Sequence, residues 1–155
     1  MGYTHYWEQK RPYHPMAWAT LVTDVNKILV RKMPLVNGRP LALAGSFGEA
    51  GSLPQLDANM IAFNGLAPED YETFLLEREP EHGGGFCKTG RRPYDIMVCL
   101  VLLIAYDYAP QYIEVSSDGT YEDWEPAVTL FTQLYKRLPA LPPSLRPQLN
   151  QEEVK

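Results

Sequence analysis

Two stretches of the chain repeat apolar residues every three or four positions, and each predicts an amphipathic helix. After Pro15, which suits a first helical turn, the apolar positions run from Trp18 to Leu29, along one helix face. This helix should end near Lys32, because Pro34 disfavours helical backbone in the residue before it. A similar stripe follows Asp123, which we expect to cap a further helix; its apolar positions are Trp124, Ala127, Val128, Phe131, Leu134 and Tyr135.

Between these two helices, the segment from Pro93 to Tyr106 is apolar on nearly every position. A helix that is apolar all round is buried on all sides, so this one should be the centre of the core. Its longest apolar run, from Ile96 to Tyr106, is too short to cross a bilayer.

The remaining apolar segments are short and predict strands. Residues 2–8 alternate, with Tyr3, His5 and Trp7 on one face, and further strands are expected near 41–44, 59–63, 73–77 and 112–116. Asn64-Gly65 should form a turn, and residues 86–88 should extend or pair with the strand before them. The pattern predicts an α+β fold in residues 1–138, a mostly antiparallel sheet of about five strands packed with three helices. Residues 139–155 are rich in proline and predict a flexible tail.

Charge and composition narrow the possible partners. The chain of 155 residues has a net charge of −5, which disfavours duplex DNA, since DNA-binding domains carry a basic excess. The start of the chain lacks the layout of a signal peptide, and two cysteines make no disulfide framework. We therefore expect a cytoplasmic protein with no membrane association.

The start of the central helix is the strongest candidate site. Lys88, Arg91 and Arg92 cluster there around Gly90. A helix N-terminus carries partial positive charge and unpaired N–H groups, so extra cations there are unfavourable without an anion. Arginine binds phosphate or carboxylate in a bidentate manner. A phosphate-bearing ligand would relieve this cost, whereas the structural alternative is a solvated basic loop.

Aromatic residues could complete such a site. Tyr3, His5, Trp7 and Tyr94 are expected to stack on the ligand's ring, and Asp118 leaves a strand end where ligand contacts are common. Cys87 beside Lys88 and a helix start has the setting of a thiol with a lowered pKa. His5, His14 and His82 share no metal-ligand spacing, so neither a metal nor another cofactor is predicted.

Three blocks of sequence resemble a group of uncharacterised proteins from bacteriophages, prophages and plasmids. They are Met1-Gly2-Tyr3-Thr4-His5-Tyr6, the block from Phe86 to Asp95, and Val115 to Gly119 followed by Asp123-Trp124. The resemblance implies an origin in mobile elements and brings no known activity with it.

Three functions stay open at this point. The preferred one is an accessory protein that binds a nucleotide-like signal and so counters host defence, and a homo-oligomer is compatible with it. The second is an inhibitor that docks on a host protein through the acids of residues 66–81, since acidic surfaces complement basic grooves. The third is a metal-dependent hydrolase that uses Asp118 and His5.

Overall fold

The computed structural model describes residues 2–147 and has the predicted α+β fold. The three helices lie close to their predicted positions. They are α1 (Pro15–Arg31), α2 (Asp95–Tyr108) and α3 (Tyr121–Tyr135). The strands are β1 (Thr4–Gln9), β2 (Leu35–Val36), β3 (Arg39–Pro40), β4 (Leu43–Ala44), β5 (Gln55–Leu56), β6 (Met60–Gly65), β7 (Phe74–Glu77), β8 (Gly84–Lys88) and β9 (Ile113–Ser117).

The strands form several antiparallel sheets, so the expectation of one sheet was wrong. β1 lies between β8 and β9 in a three-stranded sheet. β6 pairs with β7 along one edge and with β4 and β5 through two-residue contacts, while β2 and β3 form a separate hairpin. The four strands from β2 to β5 are only two residues long, because proline and glycine interrupt the chain throughout residues 34–54.

The two Asn-Gly dipeptides behave differently. Asn37 and Gly38 both have positive φ, at 54° and 77°, and form the tight turn of the β2–β3 hairpin. Asn64 and Gly65 continue β6 instead, which corrects the predicted turn. The buried Asn64 amide donates to the carbonyls of Ser46 and Tyr71, so it holds two loops against the strand.

Helix α2 forms the centre of the core, as its sequence predicted. Its residues from Met97 to Ala105 are all buried, between the three-stranded sheet and the other two helices. The inward side of β1 contributes Trp7, whose ring lies 5.2 Å from that of Phe74 on β7. This contact joins the two main sheets in one core.

The start of α3 differs from the predicted one by three residues. Thr120 is the N-cap, and Asp123 is the third helical residue, whose carboxylate accepts the Thr120 backbone N–H at 2.9 Å. The two residues form a capping box. This arrangement matters for the site below, because it sets the position of the Asp123 carboxylate.

The proline-rich segment is described as far as Pro147. A 3-10 turn at Pro143–Leu145 lies beside β9, and the Ser144 hydroxyl donates to the Val115 carbonyl at 3.3 Å. Leu145 is buried in the core. The expectation of flexibility for residues 148–155 lies outside the described residues.

Candidate functional site

A buried polar cluster lies where β1 and β9 meet the start of α2. The imidazole of His5 has no exposed surface. Its Nε2 is 2.6 Å from Asp95 Oδ1, and its Nδ1 is 2.8 Å from Ser117 Oγ. The Thr89 hydroxyl donates to the same Asp95 oxygen. Burial of polar groups is costly unless they are hydrogen-bonded. The fold can accommodate these side chains because each of them has a hydrogen-bond partner within the cluster.

The partners of Ser117 assign the tautomer of His5. Ser117 Oγ accepts the Gly119 backbone N–H at 2.8 Å and the Trp124 indole N–H at 3.2 Å. A hydroxyl has two acceptor sites and one proton, so its proton is donated to His5 Nδ1. Nε2 then carries the imidazole proton and donates it to Asp95. Ser117 is thereby fully engaged, and it is not placed as a nucleophile.

Cys99 is the fifth member of the cluster. Its Sγ lies 3.5 Å from His5 Nε2 and 3.6 Å from Asp95 Oδ2. Asp95 and Cys99 are four residues apart on α2, so they share one helix face. Burial and the neighbouring Asp95 carboxylate raise the pKa of Cys99 well above its usual value. The free thiol is therefore protonated and is a poor nucleophile.

Aromatic rings enclose His5 on two sides. Tyr3 and Trp124 both make edge contacts with the imidazole, with ring centroids 5.0 Å away. The Tyr3 hydroxyl is buried without a hydrogen-bond partner among the described residues. Burial, followed by the Asp95 charge, raises the Tyr3 pKa, so this hydroxyl stays neutral.

Arg91 covers the outer side of this cluster. Its guanidinium lies 4.0 Å from the centre of the Tyr3 ring, and its Nη1 is 2.9 Å from Asp123 Oδ1. The hydrogen bond from Arg91 and the Thr120 backbone N–H lower the pKa of Asp123. Arg91 also has a positive φ of 60°, which is uncommon outside glycine. Stacking and the ion pair thus hold an exposed guanidinium in one orientation.

Lys88 and Arg92 form the rest of the cationic rim. The Lys88 Nζ and the Arg92 guanidinium each lie 5.7 Å from the centre of the Tyr71 ring. Within residues 2–147, neither side chain has a carboxylate within ion-pair distance. The structure therefore brings the three predicted cations to one rim, and it adds the half-exposed Tyr71, which the sequence analysis did not single out.

A cleft of about 290 Å³ opens beside this rim. Its polar wall contains Arg91, Arg92, Asp95, Cys99 and Asp123, so the cleft reaches the edge of the buried cluster. Its apolar wall comes from the β2 strand and from α2 and α3, through Leu35, Val36, Ile96, Pro126 and Ala127. A cation-rimmed cleft with one apolar wall suits a small amphipathic anion.

A larger concavity lies elsewhere, on the outer face of the three-stranded sheet. It has a volume of about 690 Å³ and is lined by Tyr6 and Phe86 among others. Its nearest charges include Lys10 and Glu114, which pair with each other at 3.1 Å. Of the two, the smaller cleft is the better candidate for a functional site, because Asp95 and Cys99 of the buried cluster line it.

Several of the residues predicted to contact a ligand are instead buried or hydrogen-bonded within the fold. Trp7 and Tyr94 are packed in the core, and the Tyr94 hydroxyl donates to the Glu72 carbonyl at 2.6 Å, so neither ring has a face open to a ligand. Tyr3 and His5 are equally buried. Asp118 accepts from the Thr4 backbone N–H and the Tyr6 hydroxyl at 3.0 and 3.3 Å, whereas the side-chain hydrogen bonds of His5 go to Ser117, Asp95 and Cys99.

The surroundings of the Cys87 thiol also differ from those that its sequence neighbours predicted. Burial raises the pKa of its thiol to about 12, because the side chain points into the core rather than toward Lys88. It donates to the Glu72 carbonyl at 3.4 Å. The expected lowered pKa was wrong.

Apart from His5, the residues of the buried polar cluster were not predicted as site residues from the sequence. Thr89, Asp95, Cys99 and Ser117 come from three separate segments, and strand pairing brings His5 opposite Ser117. The one available signal was the four-residue spacing of Asp95 and Cys99 on an otherwise apolar helix. Comparisons with family models, curated proteins and solved structures found no match for this chain. In the described residues, no helix has both the length and the apolar composition needed to span a membrane.

Proposed function

We propose that this protein binds a small phosphate-bearing ligand of the nucleotide class in the cleft beside Arg91 and Arg92. The observation that carries the proposal is that two exposed arginines and an apolar wall border one cleft. Phosphate and an apolar ring are the two ends of a nucleotide, and each finds a matching side here.

The phosphate end would bind at the cationic rim. Arg91 is already oriented by Tyr3 and Asp123, and one ion pair leaves most of its five N–H donors for a ligand. Arg92 and Lys88 lack a carboxylate partner in the described part of the chain. Guanidinium groups bind phosphate oxygens in pairs, so the rim needs little rearrangement to accept one.

The ring end would lie against the apolar wall formed by Ile96, Pro126 and the β2 strand. Leu35 is 66% exposed there, and a flat ring would cover it. The cleft is near the lower limit of about 300 Å³ for small-molecule sites. This favours a mononucleotide or a similar phosphorylated compound over a larger dinucleotide.

The resemblance to mobile-element proteins supplies a biological setting for such binding. A small protein that holds a host nucleotide signal would lower its free concentration and so act against host defence. The location would be the host cytoplasm, where such signals occur.

The test is isothermal calorimetry with mononucleotides, cyclic dinucleotides and inorganic phosphate. We expect one of the mononucleotides to bind at one site per chain. The Arg91→Ala, Arg92→Ala double variant should raise its Kd by roughly tenfold or more, because charge-assisted bonds to phosphate are lost.

The matched control removes two cations elsewhere. Lys27 and Arg31 lie on the exposed side of α1, and their double alanine variant has the same net charge change. Equal loss of binding in both variants would show a non-specific charge effect. Absence of binding by every compound would exclude the proposal.

A further inference from the structure

We propose that His5, Asp95 and Cys99 form a binding site for a divalent cation of the zinc class. The imidazole Nε2, a carboxylate oxygen and the thiol sulfur all lie within 4.8 Å of one another. Imidazole, carboxylate and thiolate are the three donor types that zinc takes from proteins. The site stands on these residues alone and does not depend on the nucleotide proposal.

The spacing of the donors fits a tetrahedral ion. Zinc bonds of about 2.0 Å to nitrogen and oxygen and about 2.3 Å to sulfur separate sulfur from either light donor by about 3.5 Å. The observed separations are 3.5 Å from Cys99 Sγ to His5 Nε2 and 3.6 Å from Cys99 Sγ to Asp95 Oδ2. Two of the three edges therefore already have the required length.

The third edge joins His5 Nε2 to Asp95 Oδ2 and must be about 3.3 Å long in a tetrahedral site. His5 Nε2 is hydrogen-bonded to the other carboxylate oxygen, Oδ1, at 2.6 Å, and this hydrogen bond must be lost when the ion binds. The ion would replace the proton that now joins them, and the Cys99 thiol would release its own proton to solvent, as metal binding generally displaces ligand protons. Rotation of the Asp95 carboxylate would make this change, and Asp95 lies at the start of α2 and borders the cleft.

Outer contacts already orient two of the ligands. The Thr89 hydroxyl donates to Asp95, and Ser117 bonds the imidazole nitrogen that would face away from the ion. Such second contacts are usual for metal-binding histidine and carboxylate side chains. Binding through Nε2 moves the imidazole proton to Nδ1, where Ser117 accepts it. The Ser117 hydroxyl proton must then turn away from Nδ1. Because Oγ accepts only two hydrogen bonds, the longer of the two present ones, from the Trp124 N–H at 3.2 Å, would be lost.

Three protein ligands leave one coordination position, and the cleft gives access to it. Asp95 and Cys99 both line the cleft, while His5 closes the inner side. Three ligands with an open position are typical of catalytic zinc rather than structural zinc. A phosphate oxygen or a water molecule could occupy that position, within reach of Arg91.

The thiol selects the kind of metal. Magnesium and calcium prefer oxygen ligands, whereas zinc and cobalt accept nitrogen and sulfur. We therefore expect Co²⁺ and Zn²⁺ to compete for the site and Mg²⁺ to leave it unaffected.

The experiment is a Co²⁺ titration of the full, reduced chain after treatment with a chelator. We expect one ion per chain, with the visible absorption of tetrahedral cobalt and a near-ultraviolet thiolate-to-cobalt band, both removed by Zn²⁺ but not by Mg²⁺. Absence of stoichiometric Co²⁺ binding by the unchanged chain would overturn the proposal without any variant.

The two cysteines provide a matched pair of variants. Both are buried, so Cys99→Ser and Cys87→Ser make the same chemical change in similar surroundings. The thiolate band should be lost in Cys99→Ser and kept in Cys87→Ser. Asp95→Asn should weaken Co²⁺ binding by roughly tenfold or more, with circular dichroism showing that each variant is folded. A thiolate band that persists in Cys99→Ser or disappears in Cys87→Ser would contradict the assignment.

Discussion

At the scale of single residues, the contact between Tyr3 and Gly119 is unusually close. A Cβ added to Gly119 would lie 2.3 Å from the Tyr3 hydroxyl oxygen, and the same hydroxyl has no hydrogen-bond partner among the described residues. Glycine is therefore required at position 119 by space rather than by backbone angle. The hydroxyl is tolerated there without contributing a hydrogen bond.

We predict that Gly119→Ala lowers the free energy of unfolding by about 1–3 kcal/mol, because an overpacked core must shift. Tyr3→Phe alone should be neutral or stabilising, since it removes an unpaired buried group. The double variant should recover part of the loss. Urea denaturation measures all three. A double variant less stable than Gly119→Ala would contradict the prediction, because it would mean that the Tyr3 hydroxyl stabilises the fold.

At the scale of elements, Asp107 connects the end of α2 to the segment that follows α3. Its carboxylate receives both terminal nitrogens of Arg137, at 2.9 and 2.7 Å, and the Ala140 backbone N–H at 2.8 Å. Partial burial alone would raise the pKa of Asp107, but the bonds from Arg137 and Ala140 outweigh it, and the net shift is downward.

A lowered pKa in the folded state gives the sign of the pH dependence. The stabilisation by Asp107 is present above its unfolded pKa of about 3.9, and it is lost as the pH falls through the lower folded value. We therefore predict that Asp107→Asn is less stable than the unchanged chain at pH 7. The difference should shrink steadily below about pH 4. Denaturation midpoints across this range test it, and a constant difference would exclude the ion pair as its cause.

At the scale of the whole molecule, the segment after α3 belongs to the core. Leu145 is 1% exposed, whereas Leu138, only seven residues earlier, is 72% exposed. The segment therefore buries Leu145, together with Pro139 and Pro142, and leaves Leu138 at the surface. The sheet edge at Val115 is covered in the process.

We predict that Leu145→Ala lowers the free energy of unfolding by about 2–4 kcal/mol, as for other buried leucines. Leu138→Ala makes the same change at an exposed position and should alter stability by less than about 0.5 kcal/mol. Thermal denaturation compares the two. Similar small effects would mean that the segment does not dock on β9 in solution.

Much of the fold could be read from local patterns. The positions of all three helices followed from apolar spacing, and the burial of α2 followed from its uniformly apolar composition. Local patterns failed where the same dipeptide adopts different structures at two places in the chain. Asn37-Gly38 and Asn64-Gly65 carry the same turn signal, but the second lies in a strand, where the Asn64 amide bonds the loops at Ser46 and Tyr71. Such partners are invisible in the sequence.

The candidate site divides in a similar way. Its cationic rim could be predicted, because Lys88, Arg91 and Arg92 are neighbours in the chain and lie at a helix start. Its chemistry could not, because His5, Asp95 and Ser117 are separated by about 90 and 112 positions. The expectation that Trp7 and Tyr94 stack on a ligand required their rings to be exposed. Both rings are buried, and the composition of the chain does not reveal this.

The sequence by itself determined the class of the fold, the three helices, the buried position of α2 and the basic cluster at its start, since each depends on residues close together in the chain. Only the tertiary structure decided how the short strands divide into sheets, where the segment after α3 docks, and that a histidine, an aspartate and a cysteine meet beneath the rim. The physical reason is that strand pairing and burial are set by contacts between distant segments. A helix can be recognised from the spacing of apolar residues within a short stretch of sequence. A site assembled from β1, α2 and β9 exists only once those elements pack together.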